Sequence, residues 1–189
     1  SAKQLIRQDM LVQIKRILKR TGFPPEQLII ELTESLVLDT LAKTSETLTG
    51  LRNMGIEIAI DDFGTGYSTF KLLKTLPVDI LKIDQMFIAN LLDNKVDVAI
   101  TQAIIDVAHA LDMRVVAEGV ENVEHANLLQ ELGCDTIQGF YLSEALPRTE
   151  ITKLLCLGIP GITKQRTNAD IEETQKKMAE KKNETIALA

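Results

Sequence analysis

Four short apolar runs follow one another down this chain, and each carries Lys among its aliphatic residues or closes on acid. They are Leu28-Ile29-Ile30-Glu31, Ile56-Glu57-Ile58-Ala59-Ile60-Asp61-Asp62, Ile80-Leu81-Lys82-Ile83-Asp84 and Val115-Val116-Ala117-Glu118. Runs this short and this rich in Ile and Val read as strands, and segments of helical periodicity separate them. Strand alternating with helix means an α/β fold with a parallel sheet. In a barrel of that kind the strand ends converge on one face, which carries the chemistry. Carboxylates delivered there by successive strands share one pocket and call for divalent metal.

Side chains on a strand alternate between its faces. Ile56, Ile58 and Ile60 therefore share one face and leave Glu57, Ala59 and Asp61 on the other. Leu81 and Ile83 likewise oppose Ile80, Lys82 and Asp84. The aliphatic face can pack under helices while the charged face looks inward near the barrel mouth. Charge there is costly unless paired or metal-bound; the competing reading is a strand-end charge that reaches solvent.

Periodicity predicts an amphipathic helix from about Lys3 to Thr21, stopped by Gly22 and Pro24-Pro25. Further helices are expected near Leu41–Met54, Thr69–Leu73, Val96–Leu111, Val123–Leu132 and Thr149–Leu155. Strands are expected at Leu28–Leu32, Ile56–Ile60, Ile80–Ile83, Arg114–Ala117 and Thr136-Ile137. These are too few to close a (β/α) barrel, which takes about eight. The expectation is a TIM-type barrel, incomplete because N-terminal strands are missing, over residues 1–160. Residues 161–189, rich in Glu, Lys and Gln, read as a polar tail of marginal order.

A length of 189 residues, 45% of them apolar and 25% charged, suits one soluble globular domain. The net charge of −6 argues against a general surface for DNA or RNA duplexes, and the lack of Trp weakens any base-stacking platform. Phosphate esters remain possible partners where metal ions bridge like charges. Cys134 and Cys156 lack metal-ligand spacing and read as reduced thiols in or near a core. His109 and His125 stand singly in helical segments, as satisfied or exposed residues rather than catalytic ones. With no signal peptide and no apolar run able to span a bilayer, the expected location is cytoplasmic. A longer parent protein can still be membrane-tethered through other parts.

Several residues carry chemistry. Glu31 ends its strand, and Glu34 lies just beyond, where it can touch neighbouring loops; Thr33–Ser35 can equally cap a helix. Adjacent side chains at Asp61-Asp62 diverge, so one carboxylate can bridge two ions ~4 Å apart, as in two-metal phosphodiester hydrolysis. Phe63-Gly64-Thr65-Gly66 supplies two flexible points for a loop that closes on a ligand, or makes an ordinary turn. No Gly-Lys-Ser/Thr follows, which excludes a P-loop. An inward Lys82 could hold an attacking water or offset charge in a transition state. Glu118 is a candidate metal ligand or water-activating base.

Together, Glu31-Leu32-Thr33-Glu34-Ser35, Asp61-Asp62-Phe63-Gly64-Thr65-Gly66-Tyr67-Ser68, Leu81-Lys82-Ile83-Asp84, Ala117-Glu118-Gly119-Val120-Glu121 and Gln138-Gly139 resemble the motifs of the EAL domain family, in its order and spacing. The resemblance covers about residues 1–155. It implies a TIM-type barrel and hydrolysis of cyclic di-GMP to linear pGpG at a two-metal site holding Mg2+ or Mn2+. It implies Glu31 and Asp61 as ligands of the first metal, with Asp61 shared and Asp62 completing the second. Lys82 and Glu118 resemble the pair that positions and activates water. Glu34 resembles the residue bracing the Asp62–Gly66 loop, Gly64 and Gly66 included, which in the family couples metal binding to dimerisation. A homodimer is therefore expected. Asp84, Glu121 and Gln138 look like supporting site residues.

Two departures matter. The family's Glu-Ala-Leu, whose Glu binds metal, and a metal-binding Asn would both precede Ser1. Glu144-Ala145-Leu146 follows Gln138-Gly139, far from the naming position, and is read as coincidence. The expected function is a fragment of a cyclic di-GMP phosphodiesterase, weak or inactive as this chain alone. The alternative is a non-catalytic module that binds cyclic di-GMP or regulates a partner. An unrelated barrel lyase or aldolase leaves the Asp-Asp-Phe-Gly-Thr-Gly loop unexplained.

Overall fold

In a computed structural model that describes residues 10–34, 45–64 and 70–157, the aliphatic runs become strands. They are β1 (Ile29–Thr33), β2 (Glu57–Phe63), β3 (Ile80–Ile83), β4 (Arg114–Ala117) and β5 (Thr136–Ile137). They form one five-stranded sheet in the order β1-β2-β3-β4-β5, with every pairing parallel. Each strand thus lies beside the next in sequence, the order of a (β/α) barrel wall. The described residues fall into two compact units, one up to Tyr141 and one from Leu142. The start of the first expected helix, the boundary at 160 and the tail over 161–189 lie outside the described residues.

The helices are α1 (Met10–Thr21), α2 (45–52), α3 (Phe70–Thr75), α4 (Gln85–Ile88), α5 (Lys95–Ala110), α6 (Val123–Glu131) and, in the second unit, α7 (Arg148–Leu157). Side-chain caps start three of them, each accepting a backbone N–H that the first turn leaves open. Asp84 accepts from Met86 at 2.7 Å, Asn94 from Val96 at 2.9 Å and Asn122 from His125 at 2.8 Å. A turn as short as α4 has no periodic signal, and sequence reading did not find it. None of the described helices is long and apolar enough to cross a membrane.

Alternation sorts the sheet as the sequence predicts. Ile58, Ile60, Leu81, Ile83, Val115 and Ala117 are buried in one cluster with Leu48 and Leu51 of α2, Ile104, Ile105 and Ala108 of α5, and Leu129 of α6. Each large aliphatic side chain buried there stabilises the fold by roughly 1.5–3 kcal/mol. The other face carries the charges, alongside Ala59 and Ile80. Glu57 pairs with Arg114 at 2.6 Å across β3, and Glu31, Asp61 and Lys82 stand further along.

One device recurs at the start of the strands. Asp79, just before β3, accepts the N–H of Ile58 in β2 at 3.0 Å and pairs with Arg52 at 2.7 Å. Asp135, just before β5, accepts the N–H of Val115 in β4 at 2.8 Å and meets His109 Nε2 at 2.9 Å. Each carboxylate satisfies the second N–H of the preceding strand and so pins register. His109 is therefore partnered, as expected. His125 departs from expectation: it is buried, and its Nδ1 has no hydrogen-bond partner among the described residues. Cys134 is a free, half-buried thiol packed against the core; the side chain of Cys156 lies outside the described residues.

Candidate metal centre

Strand β2 runs three residues beyond its expected end and takes Asp61 and Asp62 into the sheet. Ile60 pairs with Leu81, but Phe63 pairs with Ile83, so two residues of β2 oppose Lys82 alone. That is a β-bulge, uncommon in parallel sheets and frequent beside functional sites. Asp62 takes up the extra length in the left-handed region at φ 56, which Asp tolerates better than most residues. Regular alternation would turn Asp61 and Asp62 to opposite faces. Here Asp61, Asp62 and Glu118 each offer a carboxylate oxygen, all within 4.8 Å of one another.

Lys82 holds the centre together. Its Nζ lies 2.9 Å from Oε1 of Glu31 in β1, 2.8 Å from Oδ1 of Asp61 in β2 and 2.7 Å from Oε1 of Glu118 just past β4. Only 6% of the Lys82 side chain is exposed, against 50% of Glu31. Burial alone would lower its pKa, but hydrogen bonds to Asp61, Glu118 and Glu31 outweigh that and raise it. The ammonium therefore stays charged throughout ordinary pH.

The acids respond in the opposite sense. Burial, then repulsion from Asp61 and Asp62, raises the Glu118 carboxyl above its usual range despite the pull of Lys82. Asp62 is raised by burial first, then by the neighbouring charges of Asp61 and Asp84. Asp61 Oδ1 is buried and, beyond its ion pair with Lys82, makes no hydrogen bond among the described residues. A buried oxygen left short of donors, inside an all-oxygen set of carboxylates, fits a hard divalent cation. Glu31 faces Lys82 and is not one of the three clustered carboxylates.

Glu34 is buried, and its Oε2 accepts the N–H of Gly64 at 2.9 Å. It thus reaches a neighbouring loop, as its position in the sequence suggested. Gly66 lies outside the described residues. Beside the acids opens a cleft of about 290 Å³ that Asp62, Asp84, Glu118 and Glu121 line with Gln138 and Phe140. The loops after β4 and β5 build it by pairing: Val120 N–H donates to Gln138 at 3.1 Å, and Tyr141 N–H to Val120 at 2.9 Å. Gly139 permits that approach, since a β-carbon on it would lie within 2.8 Å of Val120 backbone atoms.

Sequence reasoning found the charged members and Gln138, quoted Gly139 only within a motif, and missed Gln85, Phe87 and Phe140. Gln85, Phe140 and Gly139 line the cleft, and Phe87 packs on Gly64. The only local signal was Asp84 ahead of Gln85-Met86-Phe87-Ile88, an N-cap pattern that a strand-end reading hides. Glu144 is exposed and belongs to no cluster of metal-ligating side chains among the described residues.

The sequence model of the EAL domain matches residues 1–145. The chain is 36% identical over 154 residues to the cyclic di-GMP phosphodiesterase NbdA of Pseudomonas aeruginosa, covering 82% of this chain and 20% of NbdA. It spans about a fifth of the length of the curated relatives it matches. The crystal structure of the EAL domain of Mycobacterium smegmatis DcpA is similar at 44% identity and a TM-score of 0.79, covering 84% of this chain and 71% of that one. The PaMucR phosphodiesterase in its c-di-GMP complex is similar at 38% identity and a TM-score of 0.75, covering 80% and 61%.

Proposed function

This chain belongs to the EAL domain family, and on that premise we propose that its site hydrolyses one 3′,5′-phosphodiester bond of cyclic di-GMP to give linear pGpG. Glu31, Asp61, Asp62 and Glu118 would hold two divalent ions, Mg2+ or Mn2+. Such ions, when bound, supply Lewis-acid stabilisation of phosphate oxygens and activate water. The chain's own residues do the rest. Lys82 Nζ keeps mutually repelling carboxylates together and orients the attacking water. Glu118, its carboxyl raised toward working pH, accepts the water proton. Glu34 braces the loop through Gly64, and Asp84, Glu121 and Gln138 shape the cleft that receives the dinucleotide. A homodimer and a cytoplasmic setting belong to the same proposal.

One observation carries it: a buried ammonium bridges carboxylates from neighbouring strands, beside three acids close enough to share an ion. The test incubates the purified chain with cyclic di-GMP and MnCl2 and chromatographs for pGpG. Slow turnover is expected, because four carboxylates are few donors for two six-coordinate ions, and Asp61→Asn and Lys82→Met should abolish it. Product formation unchanged in Asp61→Asn would sink the proposal. The non-catalytic reading has support of its own, since Lys82 already neutralises part of the acid cluster without metal. Calorimetric titration of cyclic di-GMP in EDTA separates the two: tight binding with no product in Mn2+ favours the module.

A further inference from the structure

Asp62 reaches Asp61 and Glu118 with its backbone in the left-handed region. The intrinsic preference of an L-residue does not hold it there, so the constraint must come from neighbouring segments. Two contacts fall on Gly64. The buried Glu34 carboxylate accepts its N–H at 2.9 Å. The ring of Phe87 lies against its α-carbon so closely that a β-carbon would sit 2.5 Å from Cε2 and 2.9 Å from Cζ. Phe87 is buried on α4, whose capping residue Asp84 lines the same cleft as Asp62. The helix therefore reaches the bulge through the Phe87 ring, at the backbone of residue 64.

We propose that Phe87 is a positioning residue for the metal centre: its ring, with Glu34, fixes Gly64 and so keeps Asp62 turned toward Asp61 and Glu118. The inference rests on the reading of Asp62 as a metal ligand. Protein interiors are close-packed, so removing a ring leaves a void into which the adjoining loop relaxes. Relaxation lets Asp62 fall back toward strand alternation, with its carboxylate turned from the other two. Groups that hold metal ligands in place typically lower metal affinity about 10–100-fold when they are removed.

The test uses the whole chain with two readouts, Mn2+ affinity by electron paramagnetic resonance and hydrogen exchange of the Gly64 amide by NMR. Phe87→Leu should weaken Mn2+ binding about tenfold or more and speed exchange at Gly64. The control is Ile88→Val or Ile88→Ala, whichever matches its loss of thermal stability, since Ile88 is fully buried on the same helix. That control should leave both readouts unchanged. Gly64→Ala should weaken Mn2+ binding less in a Phe87→Ala background than alone, because the clash with the ring has gone. Wild-type affinity and exchange in Phe87→Leu, or equal losses in the Ile88 control, would overturn the inference. Wild-type protein that binds no Mn2+ defeats the metal reading instead, and exchange at Gly64 then decides the clamp alone.

Discussion

At the scale of single residues, Lys82 acts as a built-in counter-ion for Glu31, Asp61 and Glu118. Removing one member of a fully buried ion pair costs about 3–5 kcal/mol; the half-exposed Glu31 and solvent near the others reduce that to about 1–3 kcal/mol for Lys82→Met. Added Mn2+ should restore part of the loss by taking over the neutralisation, which thermal melts with and without the ion would reveal. Asp62 and Glu118 give the centre a distinctive pH response. Both carboxyls are raised by burial first and then by neighbouring acids, so the folded chain keeps protons that the unfolded chain has released. Stability therefore falls as pH climbs from about 4 through the raised values. Asp62→Asn, whose amide also tolerates a left-handed backbone, should raise metal-free stability near neutral pH, flatten that slope and weaken Mn2+ binding. Urea titrations at several pH values check the first two outcomes; a variant less stable than wild type at neutral pH would contradict the account.

At the scale of elements, paired carboxylates set strand register while paired loops build the cleft. Asp135 behaves opposite to Asp62: burial would raise it, but His109 and the Val115 N–H lower it overall. Its contribution is present above the ordinary Asp pKa and is lost as pH falls through the depressed value. Asp135→Ala should therefore destabilise by about 1–3 kcal/mol at neutral pH, the cost of an unpaired buried N–H, and the gap from wild type should narrow in acid as the charge-dependent part is lost. Gly139→Ala should cost about 1–3 kcal/mol as overpacking and block the approach of the β5 loop to Val120. Its signature would be weakened cyclic di-GMP binding, because Gly139 and Phe140 line the cleft beside Asp62 and Glu118. Strand positions were legible in the sequence to within a few residues, since aliphatic alternation is local. The short helix α4 was not, because four residues hold barely one turn.

At the scale of the molecule, β1 has no partner along its outer edge among the described residues. Ile29 on that strand is 45% exposed, and Phe23 nearby in sequence is 44% exposed. An open edge with exposed aliphatic and aromatic groups invites pairing with a second chain. Sedimentation should show concentration-dependent association that Ile29→Lys reduces, and unchanged association in that variant would rule out the edge as the contact. By itself, the sequence determined which chemical groups arrive at the ends of successive strands, because the two-residue period of a strand is a property of local backbone geometry. It thereby named Glu31, Asp61, Asp62, Lys82 and Glu118 as one charged rim. Only the tertiary structure decided how Asp62, next in the strand to Asp61, turns toward the same point. The bulge that reverses its direction depends on how β2 registers against β3, and that register is set by packing between segments about twenty residues apart in the chain.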